Sequence, residues 1–355
     1  MRCIHPALPG VLTLGDGRLI HLAEIIGRGS HGAVHRATLE SGWGVRRPVA
    51  VKIFDVEPDE DHGELVRRLG RVVRRAACVR HPAIVQTFEM DRTDGRRTTQ
   101  PFVVSEVVCG ESLATLIDTW RENDLRVPVD FALVVTLRAA EGLGAALFSD
   151  HVDGGLTSLV HGDVSSRQIL VSDQGEVKIG DFGHGSLRGV SSHVRSRRKI
   201  ACVAPEVACG LEPCARADVF SLGIVLHEML VGPRFAKGTD MAEAVQMVRD
   251  GAIHIPLIEP NLPRELRAIL ERATAPNPAD RYPHARALAF DLRREMLRLG
   301  LSDAHTCVRQ AVVGFCEVRS GYTSEVPIPL KSDVVPKGDP ETTSPEIRVA
   351  KLRRS

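Results

Sequence analysis

Apolar and polar positions alternate loosely over residues 19–26, and short apolar runs recur at Val49-Ala50-Val51-Lys52-Ile53 and Phe102-Val103-Val104. A period of two, in runs rich in Val, Ile and Phe, predicts strands. Residues 64–80 switch to a helical period. Leu65, Leu69, Val72, Val73 and Ala76 form one apolar face there, with Arg67, Arg71, Arg74 and Arg75 on the other. Residues 130–149 read as a long helix with an acidic N-cap, Asp130, packed through Phe131, Leu133, Val134, Leu137, Leu143 and Leu147. Further on, Ile169-Leu170-Val171 and Glu176-Val177-Lys178-Ile179 predict two short strands joined by the turn Ser172-Asp173-Gln174-Gly175. An apolar helix opens at Asp218, and residues 239–250, 263–274 and 283–299 continue the helical pattern. Residues 302–317 predict one more short helix, and residues 318–355, rich in Pro, Ser, Thr and charge, predict a disordered tail. The first part is therefore strand-rich with one main helix, and the second is helical.

Composition narrows the class. Of 355 residues, 43% are hydrophobic, ample for a core, and a formal net charge of +1 gives no global argument for nucleic acid or membrane. Eight cysteines lie scattered without a C-x-x-C pair, a pattern that suits free thiols better than a zinc site. No apolar run approaches the roughly 18 residues of a membrane span, and the first ten residues lack an apolar signal core, so a cytoplasmic protein is expected.

The candidate chemistry concentrates in residues 159–183. Asp163 and Asp181 each end an apolar run beside a glycine, and the hairpin between them holds two carboxylates a fixed distance apart. Such a pair suits phosphoryl transfer, one acid accepting a hydroxyl proton and the other carrying Mg²⁺. Upstream, Gly27, Gly29 and Gly32 punctuate the stretch between two predicted strands, a spacing that lets main-chain amides close over phosphates. Strands on both sides argue against a dinucleotide-binding fold, where a helix should follow. Lys52 stands alone on the next apolar strand, either in solvent at an edge or as a phosphate-gripping cation.

Together, His161-Gly162-Asp163, Asp181-Phe182-Gly183, the glycine stretch and Lys52 resemble the eukaryotic-like (Hanks-type) protein kinases of bacteria. The resemblance implies an α+β, bilobal protein-kinase fold: a small β-rich lobe with one main helix (residues 19–108) and a larger helical lobe (109–300), flanked by segments 1–18, 301–317 and 318–355. It implies ATP and Mg²⁺ as cofactors and proteins as substrates. Asp163 would be the base, Asp181 the main Mg²⁺ ligand, and Lys52 the grip on the α- and β-phosphates. The adenine would lie between Val34, Ala50 and Leu170, bonded to the main chain of Glu106 and Val108 behind Ser105. Small-molecule phosphotransferases share the His-Gly-Asp pattern. Ala204-Pro205-Glu206, Asp218 and Arg281 decide against them, being similar to the structural set specific to protein kinases, in which the resemblance implies that Arg281 pairs with Glu206.

Four positions depart from the family pattern. Gly162 replaces the arginine that reads an activation-loop phosphate. Ser165 replaces the catalytic-loop lysine, while Lys199, seven residues before Glu206, brings an ammonium from the activation segment; many bacterial kinases of this type show the same exchange. Gln168 stands where an asparagine would ligate a second Mg²⁺, predicting weaker binding there. Val72 occupies the position of the glutamate that pairs with the strand lysine. Glu64 lies about two turns too early to replace it, so Lys52 is expected to have nothing anionic to orient it between turnovers. A loss on the order of 2–4 kcal/mol in positioning would slow transfer roughly 30- to 1000-fold. Two readings follow, a slowed serine/threonine kinase or a pseudokinase that binds nucleotide or scaffolds. The Arg67/Arg71/Arg74 face is either a solvated surface or a dock for an acidic or phosphorylated partner. Serines 186, 191, 192 and 196 offer possible autophosphorylation sites without their usual reader.

Overall fold

Alternation in the first hundred residues produces antiparallel strands, each burying one face. The computed structural model describes residues 10–29, 32–56, 61–93, 99–150, 156–183, 197–251, 262–301 and 304–320, all within one unit, Met1–Thr323. The first lobe holds β1 (Val11–Thr13), β2 (Leu19–Gly29), β3 (Gly32–Glu40), β4 (Arg46–Phe54), α1 (His62–Cys78), β5 (Thr87–Arg92) and β6 (Pro101–Ser105). Its strands form an antiparallel sheet in the order β1-β2-β3-β4-β6-β5. Ile20, Leu39, Val49, Val51, Phe102 and Val104 fill one side of it. The sheet starts earlier than the expected lobe boundary at residue 19, because Val11 to Thr13 pair with His21 to Leu19. On the other side Leu69 and Val73 of α1 pack on Phe54 and Val103, with Val72 and Met90 at the margin. Asp61 caps α1, its carboxylate accepting the Glu64 N–H at 3.1 Å.

The chain leaves β6 through residues 106–109 into β7 (Gly110–Ser112), which pairs with β10 of the second lobe. There follow α2 (Leu113–Glu122), α3 (Val129–Leu147), the two-residue strands β8 (Ser149–Asp150) and β9 (Leu156–Thr157), and the hairpin β10 (Ile169–Ser172) and β11 (Val177–Ile179). Then come α4 (Arg197–Cys202), α5 (Pro205–Ala208), α6 (Ala215–Leu230), α7 (Met241–Arg249), α8 (Arg264–Ala273), α9 (Ala285–Arg298) and α10 (Ala304–Ser320). Helices α3 and α6 are buried nearly all round, as their unbroken apolar sequences require, and the rest pack about them. Asp130 is not the N-cap expected of the long helix: Pro128 takes that position without a side-chain capping bond, because the helix starts at Val129 and places Asp130 in its first turn. A β-rich lobe with one helix thus sits on a helical lobe, the bilobal α+β kinase fold. Helix α10 runs to Ser320, three residues into the expected 318–355 tail; the rest of that tail and the serines between 184 and 196 lie outside the described residues. No helix of the described residues is long and apolar enough to cross a membrane.

Candidate active site

The hairpin predicted from the sequence forms, with Ile169 opposite Ile179 and Leu170 opposite Lys178. Asp163 precedes its first strand and Asp181 follows its second, so both acids leave from the open end. His161 stitches the two loops together. Its carbonyl accepts the Gly183 N–H at 3.1 Å, its Nε2 lies 2.7 Å from the Gly180 carbonyl, and its Nδ1 lies 3.2 Å from the Asp163 amide nitrogen. A main-chain N–H can only donate, so Nδ1 accepts and Nε2 carries the proton. The buried ring also leans on Phe182, with centroids 4.8 Å apart. Asp163 and Asp181 are thereby fixed on neighbouring turns.

Helix α6 supports this arrangement. The carboxylate of Asp218 accepts the N–H groups of His161 and Gly162, each at 2.8 Å. Burial pushes that carboxyl up to about 7, against the downward pull of the two N–H bonds and with a further push from the charge of Asp163. Gly162 sits at φ +75°, a left-handed conformation that the expected arginine would hold only under strain. Asp181 is itself left-handed at φ +59°, one of two described non-glycine residues with positive φ.

Two lysines meet the two acids. Lys52 of β4 donates to Asp181 Oδ2 at 2.7 Å. Lys199 of α4 lies 2.9 Å from Asp163 Oδ2, and the two side chains are only 15% and 5% exposed. At such burial a charge-assisted contact is little weakened by solvent. Ser165 is buried in the same loop. The expectation that nothing anionic orients Lys52 is therefore overturned: Asp181 does so across the cleft. The one acid of α1, Glu64, is engaged by Arg68 at 2.7 Å and Arg67 at 3.1 Å on its own helix. Val72 packs instead against Gly183, where an added Cβ would meet Val72 Cγ1 at 2.7 Å.

The remaining predicted residues fall around this centre. Gly29 pairs with Gly32 across the tip of the β2–β3 hairpin, Gly27 with Val34, and Val34 with Lys52. Ala50 pairs with Ser105, so the first lobe brings Val34 and Ala50 to the strands that carry Lys52. Leu170 lies on β10, which is tied through β7 to the interlobe connection. Glu106 donates its N–H to the Gln86 carbonyl at 2.8 Å. Among the described residues its own carbonyl, and both main-chain groups of Val108, have no main-chain partner. The carbonyl of Gln168 accepts the Gly180 N–H at 2.9 Å, which brings this residue beside the Asp181 turn, and its half-buried side-chain amide has no hydrogen-bond partner among the described residues.

Two features were not anticipated from the sequence. One is the doubly bonded role of Asp218. The other is an ion pair between Lys178 Nζ and Glu106 Oε1 at 2.6 Å, which ties β11 to the interlobe connection. A lysine inside an otherwise apolar strand was the available signal for it.

Below the site, Arg281 forks onto Glu206 with bonds of 2.7 and 2.9 Å, its side chain fully buried. The pairing fastens the end of the segment that carries Lys199. The family model for protein tyrosine and serine/threonine kinases matches residues 20–292. The chain belongs to that family. Tyrosine-protein kinase MasK of Myxococcus xanthus is 32% identical over 275 residues, covering 76% of this chain and 41% of that protein. Serine/threonine-protein kinase PknB of Mycobacterium leprae is 31% identical over 278 residues, covering 77% of this chain and 42% of that protein. PknB of Mycobacterium tuberculosis is 31% identical over 281 residues, with 77% and 42% covered. This kinase-family chain thus spans about two-fifths of the length of the curated relatives it matches.

Proposed function

We propose that the chain transfers the γ-phosphate of ATP to serine and threonine hydroxyls of protein substrates. The observation that carries this reading is the pair of buried or half-buried contacts, Lys199 with Asp163 and Lys52 with Asp181. Asp163 accepts the proton of the attacking hydroxyl. Lys199, already beside that carboxylate, balances the negative charge that gathers on the transferred group. Lys52 exchanges its contact with Asp181 for the α- and β-phosphates. The glycine hairpin supplies main-chain N–H groups above them, while Glu106 and Val108 bond the base between Val34, Ala50 and Leu170.

The oxygen donors of Asp181 and Gln168 fit Mg²⁺, a hard cation that takes carboxylate and amide oxygens. When bound, the ion supplies neutralisation of phosphate charge. Gln168 carries one methylene more than the family's asparagine, and among the described residues its amide has no hydrogen-bond partner to pull it away. Serine and threonine are favoured as acceptors by the sequence resemblance and by the names of most relatives, although MasK is named a tyrosine kinase. Consumption of ATP argues for a cytoplasmic domain.

A second reading, a nucleotide-binding pseudokinase, is favoured by Val72 in the place of the lysine-pairing glutamate. Labelled ATP with Mg²⁺ and a basic protein substrate separates the two. We expect incorporation by the unaltered chain and none by Asp163→Ala. Equal incorporation in both overturns the catalytic reading, and Mg²⁺-independent ATP binding without transfer establishes the second.

A further inference from the structure

The arginine face of α1 is not flat. A cavity of about 640 Å³ opens between α1 and β5, with Arg67, Arg71, Arg74 and Arg92 at its walls and Gly70 and Met90 among its lining. Two acids share it, Glu64 and Asp91, and both are already engaged. Glu64 is held by Arg67 and Arg68 at 3.1 and 2.7 Å. Asp91 accepts the N–H groups of Gly15 and Arg92, at 2.7 and 2.8 Å. Arg71 comes only within 3.7 Å of Glu64. Arg74 and Arg92 have no carboxylate within salt-bridge distance among the described residues. Four arginines against two occupied acids leave the basin cationic in a chain whose net charge is only +1.

We infer that this basin docks a phosphorylated peptide segment of a protein partner. Guanidinium forks match phosphate oxygens in pairs, and a phosphoryl dianion can accept from several forks at once, which a single carboxylate cannot. Met90 is half-buried and packs on the Phe54–Leu69–Val73–Val103 cluster, so it offers an apolar seat for a side chain next to the phosphate. A nucleic acid would require a basic stripe running along many phosphates, whereas this charge is gathered in one cavity. Gly70, mid-helix, leaves the wall open: among the described residues, apart from the helix's own backbone and Gly70's two chain neighbours, only Arg74 Nη1 lies within 4 Å of a Cβ placed there, at 3.5 Å. The basin lies on the same helix as Val72, which touches Gly183 beside Asp181, so an occupant bears on an element in contact with the catalytic turn. The inference does not depend on phosphotransfer and is read by binding alone.

The test is fluorescence anisotropy on the full chain. The probes are a fluorescein-labelled peptide with one phosphothreonine beside a leucine, its unphosphorylated twin, and an oligothymidine of similar length. We expect the phosphopeptide to bind at least about tenfold more tightly than its twin and the oligonucleotide. Arg74→Glu with Arg92→Glu should weaken it by about tenfold or more. Gly70→Leu should do the same, since it keeps every charge, raises helix propensity and fills the basin. Arg75→Glu, exposed on the same helix outside the basin, should leave binding unchanged. Circular dichroism establishes that each variant is folded. The proposal is overturned if the twin or the oligonucleotide binds as tightly. It is equally overturned if folded Gly70→Leu or the double variant binds like the unaltered chain, or if inorganic phosphate displaces the peptide at equal concentration.

Discussion

Val72 stands over Gly183 so closely that a Cβ on the glycine would come within 2.7 Å of Val72 Cγ1, and the glycine's φ of +72° already disfavours any other residue. Helix α1 therefore meets the turn after Asp181 through an apolar contact, at the position where the family resemblance expects a charge. Lys52 is left to Asp181, at 2.7 Å. That contact orients the lysine, and the proposed grip of Lys52 on phosphate requires it to break.

Val72→Glu should give Lys52 a second carboxylate and release Asp181 for Mg²⁺. We expect kcat for phosphotransfer to rise by about 3- to 10-fold, equivalent to roughly 1 kcal/mol of better positioning. Stability should fall, since the acid enters the margin of the Phe54–Leu69–Val73–Val103 cluster. Steady-state kinetics over an ATP titration checks this, and an unchanged or lower kcat contradicts it.

Asp218→Asn should loosen the catalytic loop, because one amide group turned toward His161 or Gly162 has an NH₂ where an acceptor is needed. A loss of about 1–3 kcal/mol is expected. The difference should depend on pH. Native Asp218 titrates at about 7 against an ordinary value of 3.8, so between these the folded chain holds a proton the unfolded chain has lost. Asp218 therefore contributes most below its unfolded pKa, and its contribution declines as pH rises toward about 7. Urea midpoints of the two proteins at about pH 5 and about pH 8 should show the larger gap at the lower value.

Arg281→Met should cost about 3–5 kcal/mol, since it strands Glu206 and the carbonyls of Ala275 and Pro276 that Arg281 serves. Glu206→Gln should cost less, about 1–3 kcal/mol, because those carbonyls still hold the guanidinium. Equal urea midpoints for the two variants would contradict the assignment of the carbonyl bonds.

What could be read from the sequence is what short-range chemistry specifies. Short runs on either side of a turn predicted β10 and β11, and the glycine of the turn between them was legible because turns demand particular residues. The i, i+4 pattern predicted α1 to within two residues at each end. Family spacing pointed to Lys199 before any geometry was known. Contacts between residues far apart in the chain were not legible from local pattern; the family resemblance alone implied one of them, Arg281 with Glu206, which forms. Lys52 and Asp181 are separated by 129 positions, and nothing in either neighbourhood announces that they meet. Val72 looked like a plain deficit because its contact with Gly183 exists only once the lobes are stacked. The lysine of Lys178–Glu106 was visible as an oddity in an apolar strand, and its partner was not.

Lys199 beside Asp163 is the arrangement on which the proposed phosphotransfer rests, and moving the ammonium back to the loop of Asp163 tests it most directly. Single-turnover transfer from labelled ATP should fall by about 10²- to 10³-fold in Lys199→Thr. Adding Ser165→Lys to that variant should bring the rate back to within about tenfold of the original. A Lys199→Thr protein that transfers phosphate at the unaltered rate, or a double variant no faster than the single one, would contradict the account.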